Sequence, residues 1–106
     1  MTGMDSYLPG KVAVVFGSGG DAHRGVAVAL AQAGCSIAVA GVTGDDLAAE
    51  AKLHSISNEV WALGRRSTVV SLAADDTDAF TRALASVIAE LGRADLVVRT
   101  DAILNA

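Results

Sequence analysis

A short apolar stretch that runs directly into a cluster of glycines constrains this chain more than any other feature. Residues 11–16 are Lys-Val-Ala-Val-Val-Phe, and residues 17–20 are Gly-Ser-Gly-Gly. Such a near-continuous run of Val and Ala is typical of a strand buried on both faces, as in a parallel sheet. Residues 22–33 have helical spacing and Gly34 follows, at the place where helices commonly end. Strand, glycine turn and helix in this order are typical of proteins that bind phosphate oxygens at a helix N-terminus, and whether this loop still does so is the main question.

Length and composition limit the classes of protein and partner. The chain has 106 residues, which predicts one domain over residues 1–106. Its net charge is −4 and it has no basic cluster, so neither nucleic acid nor an anionic membrane is expected as a partner. No apolar stretch reaches the roughly 20 residues of a membrane-spanning helix. The single cysteine, Cys35, excludes an internal disulfide, and we expect a buried thiol in a cytoplasmic protein.

The rest of the chain repeats the alternation of strand and helix. Further strands are predicted at 35–40, 68–72 and 95–98, and further helices at 47–63 and 78–91. The predicted buried stripes of the last two helices are Ala49, Leu53, Ile56, Val60, Leu63 and Phe80, Leu84, Val87, Ile88, Leu91. This order requires parallel strands joined by crossovers. The predicted fold is α/β, a truncated Rossmann-like three-layer α/β/α sandwich with a four-stranded parallel sheet of order 3-2-1-4.

Several segments resemble the N-terminal part of the short-chain dehydrogenase/reductase family. They are the entry into the first strand (8–13, Leu-Pro-Gly-Lys-Val-Ala), the acidic turn (74–78, Ala-Asp-Asp-Thr-Asp) and the approach to the fourth strand (89–98). The likeness covers nearly the whole chain, and the spacing of the segments agrees. It implies the nucleotide-binding portion of an NAD(P)-dependent oxidoreductase. Either NAD or NADP would be the cofactor, with no preference indicated.

The first cofactor motif departs from the family pattern. Members carry Thr-Gly-x-x-x-Gly-x-Gly at the first turn, and an ungapped alignment puts Phe16, Gly17, Asp21 and His23 at those four positions. The carboxylate of Asp21, at the position of the second glycine, would repel the cofactor phosphates. An alternative alignment with a two-residue insertion makes Gly25 the last glycine, and we favour the ungapped one. His23 then either donates to a phosphate or faces solvent, of which we prefer the second interpretation.

Two later cofactor motifs are also altered. The end of the second strand is Gly-Val-Thr (41–43), which supplies neither an acidic nor a basic residue for the ribose, and residues 99–102 are Arg-Thr-Asp-Ala where the family has Asn-Asn-Ala-Gly. Arg24 either binds a 2′-phosphate or is solvated, and Asp75 either contacts adenine or caps a helix. The resemblance implies dinucleotide contacts at Gly17, Ser18, Gly19, Ala22, Arg24 and Asp75.

No catalytic residue can be assigned from the resemblance. The family uses Ser, Tyr and Lys, with the last two in a Tyr-x-x-x-Lys motif, whereas the only tyrosine here, Tyr7, precedes the first strand. We therefore expect the chain to be inactive by itself. A metal site is not expected either, because His23 and His54 lack partners at ligand spacing.

The altered motifs leave an alternative function open. The chain could be a non-catalytic Rossmann scaffold or oligomerisation module that no longer binds dinucleotide. On either interpretation we expect self-association or association with a missing C-terminal half, because a sheet that ends at its fourth strand exposes an edge. Trp61 lies off the main stripe of its helix and either covers that helix or anchors a partner.

Overall fold

The computed structural model describes residues 8–73 and 78–100 of the chain, and these alternate strictly between strand and helix. The elements are β1 (Val12–Phe16), α1 (Asp21–Gln32), β2 (Ser36–Val42), α2 (Leu47–Ala62), β3 (Ser67–Leu72), α3 (Ala79–Leu91) and β4 (Leu96–Arg99). Each begins and ends within two residues of its predicted bounds. The periodic patterns therefore predicted both the type and the order of the elements.

The strands form one parallel sheet in the order β3-β2-β1-β4, which confirms the predicted order 3-2-1-4. β1 is central: Val14 pairs with Ala38 of β2 on one side and with Val97 of β4 on the other. Because all strands run the same way, their carboxyl ends meet at one edge of the sheet. This edge is where the glycine turn lies.

Apolar side chains cover both faces of the sheet, as the unbroken Val/Ala run predicted. One face packs under α1 and α2, with Ala13 and Val15 of β1 in the centre. The other packs under α3, with Val12 and Val14 in the centre. The alternation of side chains along β1 thus supplies both cores, and the three-layer α/β/α arrangement is confirmed.

The predicted stripe of α2 is wrong at its carboxyl end. Leu53, Ile56 and Val60 are buried, but Leu63 follows the last helical residue and is 39% exposed. Ser57 is buried instead, and its hydroxyl forms a 2.7 Å hydrogen bond with the hydroxyl of Ser67 at the start of β3. A satisfied serine can occupy such a position, which a search for apolar spacing overlooks.

The stripe of α3 is also shifted from the prediction. The buried row is Ala83, Val87 and Leu91, whereas Ile88 is 51% exposed and Phe80 lies at the border of exposure. Small Ala83 belongs to the row because its spacing of four places it directly above Val87. The larger side chains at 80 and 88 lie beside this row.

Candidate functional site

The candidate site is the glycine loop, residues 17–20, which leaves the carboxyl end of β1 and enters α1. The loop is held to the sheet where Gly17 N–H donates to the carbonyl of Ala40 in β2 (3.0 Å). A Cβ on Gly17 would lie 2.4 Å from Thr100 Oγ1 and 2.6 Å from His23 Cγ. Since real Cβ atoms do not approach so closely, only glycine fits this position.

The second half of the loop also depends on glycine. Gly19 has φ +86°, and a Cβ there would lie 2.7 Å from Lys52 Cβ of α2. Gly20 is the N-cap of α1 with an extended conformation, and no side-chain hydrogen bond caps the helix there. A Cβ on Gly20 would meet only Ser18 Oγ, at 3.5 Å. The positive end of the α1 dipole therefore opens at an exposed glycine.

His23 is the residue beneath the loop, and the expectation that it faces solvent is wrong. It is 1% exposed. Its Nδ1 accepts a hydrogen bond from Gly19 N–H (3.0 Å), and its Nε2 lies 2.8 Å from the carbonyl oxygen of Val15 in β1. The ring is buried because His23, Ala27 and Ala31 form one row at a spacing of four, on the face of α1 that packs on the sheet. That spacing was a signal available in the sequence.

Gly25 distinguishes between the two alignments of the glycine motif. It is exposed on α1, and a Cβ there would meet nothing within 4 Å. Gly25 therefore does not serve a close approach of helix to strand, which is the reason for a glycine in that part of the motif. His23, in contrast, lies directly against Gly17. The geometry agrees with the ungapped alignment, in which His23 occupies the position of the last glycine.

The end of β1 is also tied to β4. Thr100 follows β4, is 2% exposed, and donates from its hydroxyl to the carbonyl of Phe16 (2.9 Å). Residues 99–102 were interpreted as a lost family motif that steadies the sheet. The hydroxyl of Thr100 nevertheless joins the end of β4 to the central strand β1 at that point, a contact that no sequence spacing indicated.

An aromatic cluster lies beside this tie. The rings of Phe16 and Phe80 stack with centroids 5.3 Å apart, and the Arg99 guanidinium lies 4.7 Å from the Phe80 centroid. It also lies 5.8 Å from the Phe16 centroid, within the range of a cation–π contact. Phe16, which occupies the threonine position of the family's glycine motif, therefore packs toward α3 and not into the loop.

The end of β2 presents a buried threonine. Thr43 N–H donates to the carbonyl of Leu72 (3.1 Å). Its hydroxyl oxygen is buried without a hydrogen-bond partner in the structure. Thr43 follows Gly41 and Val42, at the position where family members carry the group that binds the ribose. It supplies neither the negative charge of an acidic residue nor the positive charge of a basic one. A Cβ on Gly41 would lie 2.6 Å from Gly17 O, so β2 passes close beneath the loop.

Arg24 points away from the loop. Its Nε forms an ion pair with Glu59 Oε2 of α2, and the hydrogen bond and charge of Glu59 raise the pKa of Arg24. The pair lies along a shallow groove between the two helices that is also lined by Asp21, Gly25 and Gln32. The other predicted contacts are brought together: Ser18 and Ala22 are exposed within one turn of Gly17 and Gly19. Asp75 lies outside the described residues.

Residues 8–73 and 78–100 contain neither a metal-binding cluster nor a membrane-spanning helix. No group of three or more His, Cys, Asp or Glu side chains that could hold a metal ion is found within them. No helix in the same ranges is long and apolar enough to cross a membrane.

Comparison with known structures finds the same fold in part of three dehydrogenases. No family model and no curated protein matches the chain. A hydroxysteroid dehydrogenase from Escherichia coli matches in structure with a TM-score of 0.76 at 20% identity, over 92% of this chain and 39% of that one. Carveol dehydrogenase from Mycobacterium avium in complex with NAD matches with a TM-score of 0.72 at 30% identity, over 84% of this chain and 34% of that one. NAD+-bound xylitol dehydrogenase matches with a TM-score of 0.73 at 23% identity, over 86% and 33%.

The chain resembles the N-terminal Rossmann portion of the short-chain dehydrogenases and reductases. It spans between one third and two fifths of the length of these three structures. The three matches cover between 84% and 92% of this chain. The departures within that site, His23 above all, are therefore local changes in an otherwise familiar scaffold.

Proposed function

We propose that the chain is the nucleotide-binding portion of an NAD(P)-dependent oxidoreductase of the short-chain dehydrogenase/reductase type. The observation that carries the proposal is the glycine loop, which enters α1 at Gly20 with no side-chain cap. Backbone N–H groups and the helix dipole at such a terminus favour the phosphates of a dinucleotide. Two dehydrogenases of the same fold, named above, were solved with NAD bound.

The proposed contacts follow from the exposure of the loop. The exposed backbone around Ser18 and Ala22 faces a ligand that lies over the N-terminus of α1, with Gly17 and Gly19 allowing its close approach. Asp21 opposes this binding because its carboxylate lies in the first turn. Asp75 remains the proposed adenine contact.

Cofactor preference is left open by the same geometry. Arg24 would have to leave Glu59 before it could pair with the 2′-phosphate of NADP, and the end of β2 supplies no carboxylate for the ribose of NAD. Both cofactors therefore belong in the test.

The test is titration of the full chain with NADH and NADPH, followed by cofactor fluorescence, in the wild type and in the variants G20D and G20N. Gly20 has a φ that any residue adopts and room for a side chain, and both Asp and Asn are good N-cap residues. Both variants should therefore fold at least as well as the wild type. The carboxylate of G20D should repel the phosphates and weaken binding about fivefold or more at low salt, whereas uncharged G20N isolates the effect of the new side chain.

The outcomes of this titration decide the proposal. Saturable binding that weakens in G20D more than in G20N supports a phosphate site at the loop. Absence of binding by either cofactor at millimolar concentration removes the proposal for this chain. We expect no dehydrogenase turnover in either case, because no catalytic Ser, Tyr and Lys set is assignable, and turnover with a carbonyl substrate would overturn that expectation.

A second candidate function is a non-catalytic scaffold that assembles with a second copy or with a complementary C-terminal half. The observation that favours it is the position of β4, which pairs only with β1 within the described residues. Val97 on this strand is half exposed. An unpaired sheet edge with an exposed apolar side chain is a surface that pairs with another strand.

Light scattering over a range of concentrations tests this second function. V97K places a charge on the edge strand, and V42K places the same charge on an exposed valine at the end of β2, away from β4. Self-association that is lost in V97K and kept in V42K supports the scaffold function. A wild-type monomer at all concentrations counts against self-association. A cytoplasmic location is proposed for either function on the basis of the single free thiol.

A further inference from the structure

We propose that His23 is the positioning residue of the glycine loop: as the neutral Nε2–H tautomer it ties Gly19 to β1 and sets the loop conformation. The proposal rests on the proposed function only for the identity of the ligand at the loop. The hydrogen bonds of His23 are made within the chain and do not depend on any ligand. They join α1, the loop and the central strand through one buried imidazole.

The hydrogen-bond partners determine the tautomer. A backbone N–H can only donate, so the bond from Gly19 N–H at 3.0 Å requires an unprotonated Nδ1. A backbone carbonyl can only accept, so the 2.8 Å contact with Val15 O requires a hydrogen on Nε2. Both requirements are met by one neutral form of the ring and by neither of the other two forms.

Packing holds the ring in this orientation. On one side it lies so close to Gly17 that a Cβ there would be 2.6 Å from its Cγ and 2.8 Å from its Nδ1. Thr100 Oγ1 lies against the same glycine, at 2.4 Å from that position. The loop therefore contacts His23 at two points, through packing at Gly17 and through a hydrogen bond at Gly19.

This arrangement changes which groups of the loop can meet a ligand. While the His23 bond is intact, Gly19 N–H points to the imidazole and is not available to a phosphate. Ligand oxygens are left with the amides around Ser18 and the first turn of α1. His23 therefore acts on binding through the loop and does not itself touch the ligand.

The first experiment measures the tautomer in the wild-type chain by two-bond nitrogen–proton NMR of the imidazoles at neutral pH. The chain has only two histidines, and exposed His54 on α2 serves as the internal reference. We expect His23 to show a protonated Nε2 and a bare Nδ1. A protonated Nδ1, alone or together with Nε2, overturns the proposal. This measurement needs no variant and no cofactor.

The second experiment measures amide hydrogen exchange at Gly19 relative to Val39 in the core of β2. H23F fills the space of the ring without an acceptor, H23N retains an acceptor near the position of Nδ1, and H54A is the matched control. We expect exchange at Gly19 to become about tenfold faster in H23F, to be partly restored in H23N and to stay unchanged in H54A, with Val39 unaffected. If H23F folds and the exchange rate at Gly19 is unchanged, the proposal is overturned. If H23F does not fold, the NMR measurement of the His23 tautomer in the wild type decides.

Cofactor titration separates this inference from the proposed function. If neither NADH nor NADPH binds the wild type while His23 has the expected tautomer and protects Gly19, the positioning role stands and the proposed function fails. If cofactor binds, H23F should change the Kd whereas H54A should not. If H23F binds cofactor with the Kd of the wild type and the exchange rate of its Gly19 amide is unchanged, the positioning role is overturned while the proposed function stands.

Discussion

The hydroxyl of Thr100 donates a hydrogen bond to the carbonyl of Phe16 (2.9 Å), a residue 84 positions earlier in the chain. The bond joins the carboxyl ends of β1 and β4, directly beside the glycine loop. One position earlier, the carbonyl of Val15 is bonded to His23. The last two carbonyls of the central strand are therefore both bonded to side chains, one to Thr100, which follows β4, and one to His23 of α1.

Loss of the Thr100 hydroxyl should destabilise the fold. T100V keeps the shape of the side chain but leaves the partly buried carbonyl of Phe16 without this donor, and we expect a loss of about 1–3 kcal/mol in the free energy of unfolding. T100S retains the hydroxyl and should lose less. Urea unfolding followed by circular dichroism measures both variants. Equal stability of T100V and wild type would show that the bond contributes nothing.

The same substitution at Thr43 should have the opposite effect. The hydroxyl of Thr43 is buried without a partner, so T43V removes an unsatisfied polar group and leaves the backbone bond to Leu72 in place. We expect the free energy of unfolding to be unchanged or higher by up to about 1 kcal/mol. Urea unfolding again gives the answer. A clear loss of stability would mean that the hydroxyl has a partner in solution.

Two glycines near the loop should respond differently to alanine. In G17A the new methyl group would overlap Thr100 Oγ1 and the ring of His23, and we expect a loss of about 1–3 kcal/mol in stability. In G25A the methyl group meets nothing, and the exposed helix should gain about 0.5–1 kcal/mol. Thermal unfolding of the pair is the measurement. If G25A proved the more damaging of the two, the ungapped alignment of the glycine motif would be wrong.

Asp95 should make the free energy of unfolding fall as the pH is lowered. Its carboxylate accepts from Val12 N–H (2.8 Å) and from Arg93 Nε, and the backbone bond, followed by Arg93, lowers the pKa of Asp95 below its ordinary 3.8. A lowered pKa in the folded state means that this stabilisation is present above the pKa of an unfolded aspartate and is lost as the pH falls through the folded value.

The D95N variant isolates this effect. At neutral pH D95N should be less stable than the wild type, and the difference should shrink as the pH is lowered from about 5 toward 3. Urea midpoints at several pH values measure it. D45N, which changes an exposed carboxylate in the loop before α2, should keep the acid dependence of the wild type. A constant difference between D95N and wild type across this range would refute the assignment.

Cys35 should react only when the chain unfolds. The thiol is fully buried and its Sγ lies 3.7 Å from the carbonyl of Leu8, which confirms the buried thiol predicted from the sequence. Burial raises the pKa of Cys35, the charge of Asp95 adds to this, and Arg65 offsets part of it. Modification by a thiol reagent at neutral pH should be roughly a thousandfold slower in buffer than in concentrated urea. Similar rates in the two conditions would contradict a buried thiol.

Much of the scaffold was predictable because its signals are periodic and local. The Val/Ala run of β1 indicated a strand buried on both faces, and Gly34 marked the end of the first helix. The alternation of elements then restricts the sheet to a small set of parallel topologies. Burial along α2 and α3 was predicted less well, since a serine or alanine at the right spacing can occupy a buried position as well as a larger apolar side chain.

The candidate site was predicted in place but not in its internal contacts. The sequence by itself determined that a strand, a glycine turn and a helix would meet at the carboxyl edge of a parallel sheet, and it named Gly17 and Gly19. Only the tertiary structure decided that the His23 ring bonds to Gly19 and Val15, that Arg24 pairs with Glu59 and that Thr100 completes the end of β1. Sequence spacing relates neighbours within one element, whereas these contacts depend on how closely α1, α2 and β4 pack around the central strand.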